Sequence, residues 1–200
     1  INMKKCLVLI CLLILPSINT YAGEYESLVL PKIQVVPIQD TQSAKQYELY
    51  IKLPENYAKD TNKKYPVIYT TDAMWHIEML SGSAEYVVED AILVGISWQK
   101  DLGDKHEFAS RYQDYTLTES KTSKYKRGQA SNHLTFIRND VIKYVEKTYR
   151  TASEKRTYFG YSLGGEFGAY ILLAQPDTFK NYILGSPTVS ETKEENIFNF

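Results

Sequence analysis

The segment from Gly160 to Gly164 reads Gly-Tyr-Ser-Leu-Gly, and it constrains the fold more than any other part of the chain. A strand-like apolar pattern leads into this segment, and an apolar helical pattern follows it. The two glycines allow a sharp strand-to-helix turn, because larger residues two positions either side of the serine would collide. Such a turn holds Ser162 in a strained backbone conformation above the sheet. We therefore predict that Ser162 is a nucleophile and that the Leu163 amide, at a helix N-terminus, stabilises an oxyanion.

Short apolar segments elsewhere in the chain predict the strands of a sheet. Each is bounded by turn residues, which is typical of buried strands in a mostly parallel sheet. The predicted strands are Tyr47 to Leu53, Tyr65 to Thr70, Ala91 to Ile96, Arg156 to Gly160 and Tyr182 to Leu184.

Helical patterns lie between these strands. Apolar residues recur at three- and four-residue steps from Leu134 to Tyr149, with Ser131 or Asn132 as candidate N-cap, and a second helix is predicted from Glu166 to Gln175. Alternating strands and helices predict an α/β fold, a mostly parallel sheet flanked by helices. The polar, tyrosine-rich stretch 99–129 has no clear period, and we expect it to be a long excursion over the strand ends.

The first 22 residues have the pattern of a bacterial secretory signal peptide. Two lysines precede an unbroken apolar run from Cys6 to Leu15, and Ala22 is the small residue expected at a cleavage site. The run is too short to span a bilayer comfortably. We therefore predict cleavage near Ala22, a periplasmic or secreted protein without stable membrane insertion, and one domain over 23–200.

Composition bears on partners and cofactors. A formal net charge of −1 gives no electrostatic reason to expect nucleic acid as a partner. Both cysteines, Cys6 and Cys11, lie in the predicted signal peptide, so the mature domain would depend on a hydrophobic core without disulfides. The sequence shows no metal-ligand cluster, and Gly160 to Gly165 lacks the Lys-Ser/Thr ending of a phosphate-binding loop. We predict no metal, no cofactor and no nucleic-acid partner.

Four segments together resemble a known family. They are 47–57, which ends in Leu-Pro-Glu-Asn-Tyr, 65–73, which ends in Thr-Thr-Asp-Ala, 111–118, which reads Arg-Tyr-Gln-Asp-Tyr-Thr-Leu-Thr, and the turn at Ser162. On these segments the chain resembles the putative esterase family of α/β-hydrolases, of the esterase D, siderophore esterase and antigen 85 type. The resemblance implies an α/β-hydrolase domain and an exported serine carboxylic-ester hydrolase that forms an acyl-enzyme on Ser162.

The resemblance also implies further site residues. A second oxyanion donor would be the backbone amide of Met74. Its neighbour is Ala73 where the family usually has Gly, and alanine suits this position only if it does not require a positive φ. Arg111 and Asp114 are either site-lining residues or a structural salt bridge or turn. The candidate site-lining residues are Asp72, Tyr161, Arg111 and Asp114.

The general base is harder to place. The α/β-hydrolases order their catalytic residues as Ser, acid and His, yet no histidine follows Ser162. We expect His133 to be a capping or surface residue and His106 to lie in the polar excursion, which leaves His76, beside the predicted oxyanion loop, as the histidine to test. The economical expectation is a C-terminally incomplete domain, with the last strands, the acid and the base beyond residue 200. The 200-residue chain would then be inactive or feeble by itself.

The resemblance leaves the substrate and the function class open. A small-molecule ester is expected, either a siderophore-type triester or a simple acyl ester or thioester. An acyltransferase differs only in whether water or another alcohol accepts the acyl group. A non-catalytic binding module that keeps the scaffold is the alternative from a different class, because a fold does not imply a function.

Overall fold

The computed structural model describes residues 32–88 and 90–187, and a six-stranded sheet of order β1-β2-β4-β3-β5-β6 forms its centre. The pairs β3–β4, β3–β5 and β5–β6 are parallel, whereas β1–β2 and β2–β4 are antiparallel. The strands are β1 (Ile33–Gln39), β2 (Gln46–Lys52), β3 (Tyr65–Thr70), β4 (Ile92–Ile96), β5 (Thr151–Tyr161) and β6 (Asn181–Gly185).

Helices follow the strands in the order expected of an α/β fold. They are α1 (Ala73–Val87), α2 (His106–Tyr115), α3 (Ala130–Phe136), α4 (Lys143–Thr148) and α5 (Leu163–Ala174). A 3₁₀ segment (Lys100–Lys105) precedes α2, and a π-helical segment (Ile137–Ile142) joins α3 to α4. No helix within the described residues is long and apolar enough to cross a bilayer. The predicted signal peptide, residues 1–22, lies outside the described residues.

All five predicted strands are confirmed, but β5 begins at Thr151, five residues before its predicted start at Arg156, and the other ends differ by at most one residue. Strand β1 was not predicted, because it is an edge strand that lies antiparallel to β2 and is largely exposed. It also contains Pro37, which is tolerated at a sheet edge because proline has no N–H to donate to a neighbouring strand.

The helix predicted over 134–149 is present, but its predicted start is wrong. The N-cap is Gln129, without a side-chain capping bond, and Ser131 and Asn132 lie inside the helix. Backbone hydrogen bonds fix the chain at the start of this helix. Gln129 N donates to Gln113 O (2.9 Å), and Ala130 N donates to Thr116 O (3.1 Å). These carbonyls take the place of a capping side chain.

The stretch 99–129 also differs from the prediction, because it contains α2. This helix is polar overall, because several of the side chains that it buries are polar. Those buried polar side chains are Ser110, Arg111, Gln113 and Asp114. A helix buried through hydrogen bonds and ion pairs gives no hydrophobic signal in the sequence.

Two hydrophobic clusters cover the two faces of the sheet. Successive residues of a strand point to opposite faces, and in β3 Val67 and Tyr69 belong to the larger cluster while Ile68 belongs to the smaller. Strand β5 divides in the same way, with Tyr158 in the larger cluster and Phe159 against the smaller, where α1 packs. The sheet is therefore covered on both faces, as a mostly parallel sheet requires.

The expectation that His133 caps a helix or lies at the surface is wrong. Its side chain is buried among aromatic rings, with ring centroids 5.5 Å away for Tyr47 and Phe167 and 5.6 Å away for Tyr115. Burial lowers the pKa of His133, and Asp114, whose carboxylate lies 3.9 Å from Nδ1, acts in the opposite direction. Burial has the larger effect, so the ring is neutral and the contact is not an ion pair.

The buried neutral imidazole predicts a loss of stability in mild acid. In the unfolded chain His133 takes up a proton near its ordinary pKa of about 6.5, whereas the folded state resists that proton. The unfolded state therefore binds more protons below about pH 6.5, and the free energy of unfolding falls from pH 7 to pH 5. His133→Phe should reduce this fall in urea titrations, and Asn132→Ala, an exposed neighbour, should leave it unchanged. An equal fall in the free energy of unfolding of the wild type and both variants would contradict the assignment of this pH dependence to His133.

Candidate active site

Ser162 lies between the end of β5 and the start of α5, in a strained backbone conformation. Its φ is 55° and its ψ is −121°, a combination that L-residues rarely adopt. The turn is held at both sides, because Ser162 N donates to Gly185 O (2.8 Å) at the end of β6 and Glu166 N donates to Ser162 O (2.9 Å). The predicted strand-to-helix turn is therefore present, and neighbouring backbone stabilises it.

The two glycines of the motif are required by close backbone approach. A Cβ on Gly160 would lie 2.3 Å from the carbonyl oxygen of Gly164, and a Cβ on Gly164 would lie 2.7 Å from Thr71 Oγ1. Both distances are far below van der Waals contact. The first turn of α5 thus packs directly against the end of β5 on one side and the end of β3 on the other.

The segment after β3 forms the opposite side of the site. Asp72 has the left-handed conformation (φ 54°, ψ 44°) and precedes α1, whose first two residues are Ala73 and Met74. Since the first N–H groups of a helix have no acceptor within the helix, the amides of Met74 and Leu163 both belong to helix N-termini. The strands that lead to them are parallel neighbours, with Thr70 paired to Phe159.

Alanine at position 73 is compatible with this loop. The positive φ falls on Asp72 and not on Ala73, so a Cβ is allowed at position 73. The methyl group of Ala73 packs beside Gly95 of β4, where an added Cβ would come within 2.8 Å. The methyl group that this loop carries is therefore accommodated by a glycine on the next strand.

The carboxylate of Asp72 is fully buried and connects this loop to the rest of the molecule. Its Oδ1 accepts hydrogen bonds from Trp98 Nε1 (2.6 Å), Arg111 Nε (2.9 Å) and Tyr115 OH (3.3 Å). Trp98 follows β4, and the other two donors lie on α2. Asp72 therefore anchors the loop from inside instead of lining an open surface, and this network was not predicted.

The structure pairs Arg111 and Asp114 with different partners. Arg111 pairs with Asp72, and its guanidinium lies over the Trp75 ring, 4.6 Å from the centroid. Asp114 is buried and accepts from Lys45 Nζ (2.8 Å) and Tyr47 OH (2.9 Å) on the β2 side of the sheet. Burial, together with Asp114, raises the pKa of Tyr47, so its hydroxyl remains a donor.

Exposed apolar side chains lie next to Ser162 in the chain and at the start of α1. About half of the surface of Tyr161, Met74 and Trp75 is accessible, at 50%, 48% and 47%. Trp75 also packs edge-on against Trp98, with centroids 4.8 Å apart. Single exposed apolar residues are ordinary, but these three lie on the two segments that carry Ser162 and Met74.

His76 lies beside this group, in the first turn of α1. Its ring centroid is 6.4 Å from that of Tyr161 and 5.5 Å from that of Phe159. Its Nε2 is buried and has no hydrogen-bond partner among the described residues. Burial lowers the pKa of His76, so the ring is predominantly neutral at pH 7.

A strained serine between a parallel strand and a helix, on a mostly parallel sheet, defines the class of the fold as α/β-hydrolase. The family model described as "Putative esterase" matches residues 41–195, and the chain belongs to that family. A curated relative, the ferri-bacillibactin esterase BesA of Bacillus subtilis (strain 168), is 28% identical over an alignment of 193 positions that covers 88% of this chain. The chain spans 65% of the length of that relative.

Solved structures agree with this assignment. The BES protein from Bacillus cereus superposes with a TM-score of 0.72 at 27% identity, over 86% of this chain and 67% of that one. An IroE-like serine hydrolase from Shewanella oneidensis has a TM-score of 0.68 at 21% identity, over 78% of this chain and 51% of that one. The second likeness shows the fold alone.

The buried ion pair between Asp72 and Arg111 should contribute to the free energy of unfolding. Asp72→Asn keeps the side-chain shape but leaves the Arg111 charge buried without its counter-ion. We expect the free energy of unfolding to fall by about 3 kcal/mol, as measured by urea titration. Glu55→Gln is the matched control, because the Lys32–Glu55 pair is exposed and should contribute nothing measurable. Equal urea midpoints for Asp72→Asn and Glu55→Gln would show that Asp72 does not anchor the loop after β3.

Proposed function

We propose that the protein is an exported serine carboxylic-ester hydrolase that forms an acyl-enzyme on Ser162. The observation that carries the proposal is the backbone of Ser162, held at φ 55° at the end of β5 with the first turn of α5 packed beneath it. Strain of this kind persists only where the surrounding structure enforces it, and it is concentrated at functional sites. Membership of the esterase family supports the same chemistry.

The reaction follows from the positions of the groups. Ser162 Oγ attacks the carbonyl carbon of the ester while a base takes its proton, and the carbonyl oxygen becomes an oxyanion. The amides of Leu163 and Met74 donate to that oxyanion. Collapse breaks the bond to the alcohol, which leaves with the proton, and the acyl group remains on Ser162. Water then attacks this acyl-enzyme, which releases the acid and restores the serine.

The burial of His133 bears on the identity of the base. His133 is only 3% exposed and is enclosed by aromatic rings, so it cannot take a proton from a group that faces solvent. The base is therefore not His133. We place it after Ser162 in the chain, which is the order of catalytic residues in α/β-hydrolases.

We assign a siderophore-type ester as the substrate. A relative with 28% identity bears the name ferri-bacillibactin esterase, which supports this class. The apolar rim of Tyr161, Met74 and Trp75 is compatible with an acyl group that carries aromatic rings. Simple acyl esters are the competing substrates, and the assay below separates the two.

Export is part of the same proposal and rests on the pattern of the first 22 residues. Cleavage after Ala22 would leave a mature chain that begins at Gly23. The intact mass of the purified protein, which the next experiment measures, reports this directly: a chain that begins at Gly23 supports export, and a chain that retains Lys4 and Lys5 contradicts it.

The central prediction concerns Ser162→Ala. Protein expressed from the full coding sequence should gain one fluorophosphonate adduct by intact mass spectrometry and should hydrolyse ferri-bacillibactin. Ser162→Ala should lose the adduct and lower kcat by at least about a thousandfold, because the Ser162 hydroxyl is the group that forms the proposed acyl-enzyme. Ser131→Ala, an exposed serine in α3, is the control and should behave like the wild type.

Two results would overturn parts of the proposal separately. A wild-type protein that binds the ester but neither reacts with the probe nor hydrolyses it would be a binding module. A kcat/KM for p-nitrophenyl acetate above that for ferri-bacillibactin would discard the siderophore substrate and keep the hydrolase.

A further inference from the structure

The hydroxyl of Tyr158 lies between the two segments that carry the oxyanion donors. Its oxygen is 2.8 Å from the carbonyl oxygen of Gly164, the residue after Leu163. The same oxygen is 3.1 Å from Thr71 Oγ1, three residues before Met74. Tyr158 and Thr71 are both fully buried. One hydroxyl group therefore contacts the loop after β3 and the first turn of α5 at once.

The direction of these hydrogen bonds follows from the groups involved. A carbonyl oxygen only accepts, so the single hydroxyl proton of Tyr158 is donated to Gly164. Thr71 must then donate its own proton to the Tyr158 oxygen. Burial raises the pKa of Tyr158, which keeps that proton on the phenol. The result is a directional chain from Thr71 through Tyr158 to Gly164.

Three glycines make room for this arrangement. A Cβ on Gly168 would lie 2.4 Å from Tyr158 Cε1, and one on Gly160 would lie 2.8 Å from the same atom. A Cβ on Gly164 would lie 2.7 Å from Thr71 Oγ1. The ring thus fits into a slot between β5 and α5 that side chains at these positions would fill.

The neighbouring strand offers a direct comparison. Tyr69 of β3 is paired with Tyr158 in the parallel register, and both rings pack against Phe179, at centroid distances of 5.6 Å and 5.3 Å. Tyr69 is equally buried, but its hydroxyl has no hydrogen-bond partner among the described residues. Two tyrosines in the same environment therefore differ in whether their hydroxyl joins the two segments.

We propose that Tyr158 and Thr71 are positioning residues that set the separation between the Leu163 and Met74 amides. The inference rests on the proposed function, because it concerns the oxyanion site of the same reaction. An oxyanion is stabilised by two donors only when both are held at hydrogen-bond distance from one point. The donors lie on different segments here, and the hydrogen bonds through Tyr158 fix one segment against the other.

The test compares Tyr158→Phe with Tyr69→Phe in the protein expressed from its full coding sequence. Tyr158→Phe should lower kcat for ester hydrolysis about tenfold, the order expected for lost hydrogen bonds that act in the transition state. KM should stay within about twofold, because substrate binding does not require the oxyanion geometry. The rate of fluorophosphonate labelling should fall in parallel. Tyr69→Phe should leave all three quantities at wild-type values.

Thr71 provides an independent test through a conservative pair. Thr71→Val keeps the shape of the side chain but removes the donor, and it should lower kcat as Tyr158→Phe does. Thr71→Ser keeps the hydroxyl group and should retain most of the wild-type kcat. Because the two residues act through one chain of hydrogen bonds, the double variant Thr71→Val with Tyr158→Phe should lower kcat little more than either change alone.

The outcomes separate this inference from the proposed function. An inactive wild type, or an active Ser162→Ala, overturns the proposed function and the inference with it. An active wild type in which Tyr158→Phe matches Tyr69→Phe in kcat overturns the inference alone. So does an effect of Tyr158→Phe on urea stability and KM without any effect on kcat, which would mark the hydroxyl as purely structural.

Discussion

The buried carboxylate of Asp72 is the interaction on which the site's geometry depends. It takes hydrogen bonds from the segment after β4 and from α2, so three separate parts of the chain meet at one oxygen. A carboxylate buried without partners would be strongly unfavourable, and here Arg111 supplies the counter-charge. The left-handed turn at Asp72 leads directly into α1, which begins at Ala73. Asp72 therefore ties the loop after β3 to the segment after β4 and to α2.

The strained turn at Ser162 depends on the same region for its support. Gly164 passes within contact distance of Thr71, the residue before Asp72, and Tyr158 joins the two by hydrogen bonds. The free-energy cost of a positive φ at Ser162 is therefore offset by contacts that the turn itself makes with the end of β3. Asp72, Thr71, Tyr158 and the turn at Ser162 form one connected unit at the carboxyl ends of β3 and β5, where α/β sheets place their ligands.

The sequence predicted those parts of the molecule that depend on local pattern. The turn at Ser162 was predictable because glycines, an apolar strand and an apolar helix stand next to one another, and the five predicted strands are confirmed for the same reason. Helix α2 was not predictable in this way, because most of its buried side chains are polar and their partners are distant in sequence. The same holds for His133, whose aromatic surroundings come largely from three other elements, β2, α2 and α5, and for the pairing of Arg111 with Asp72, 39 residues away.

The proposed function depends above all on Ser162 carrying the acyl group during turnover. It is tested most directly by quenching the reaction with acid within the first turnover and examining the tryptic peptide from Thr157 to Lys180, which contains Ser162. We expect this peptide to gain the mass of the acyl group and fragmentation to place the added mass on Ser162. Complete hydrolysis of the ester with the peptide unmodified, or an acyl group on another residue, would contradict it.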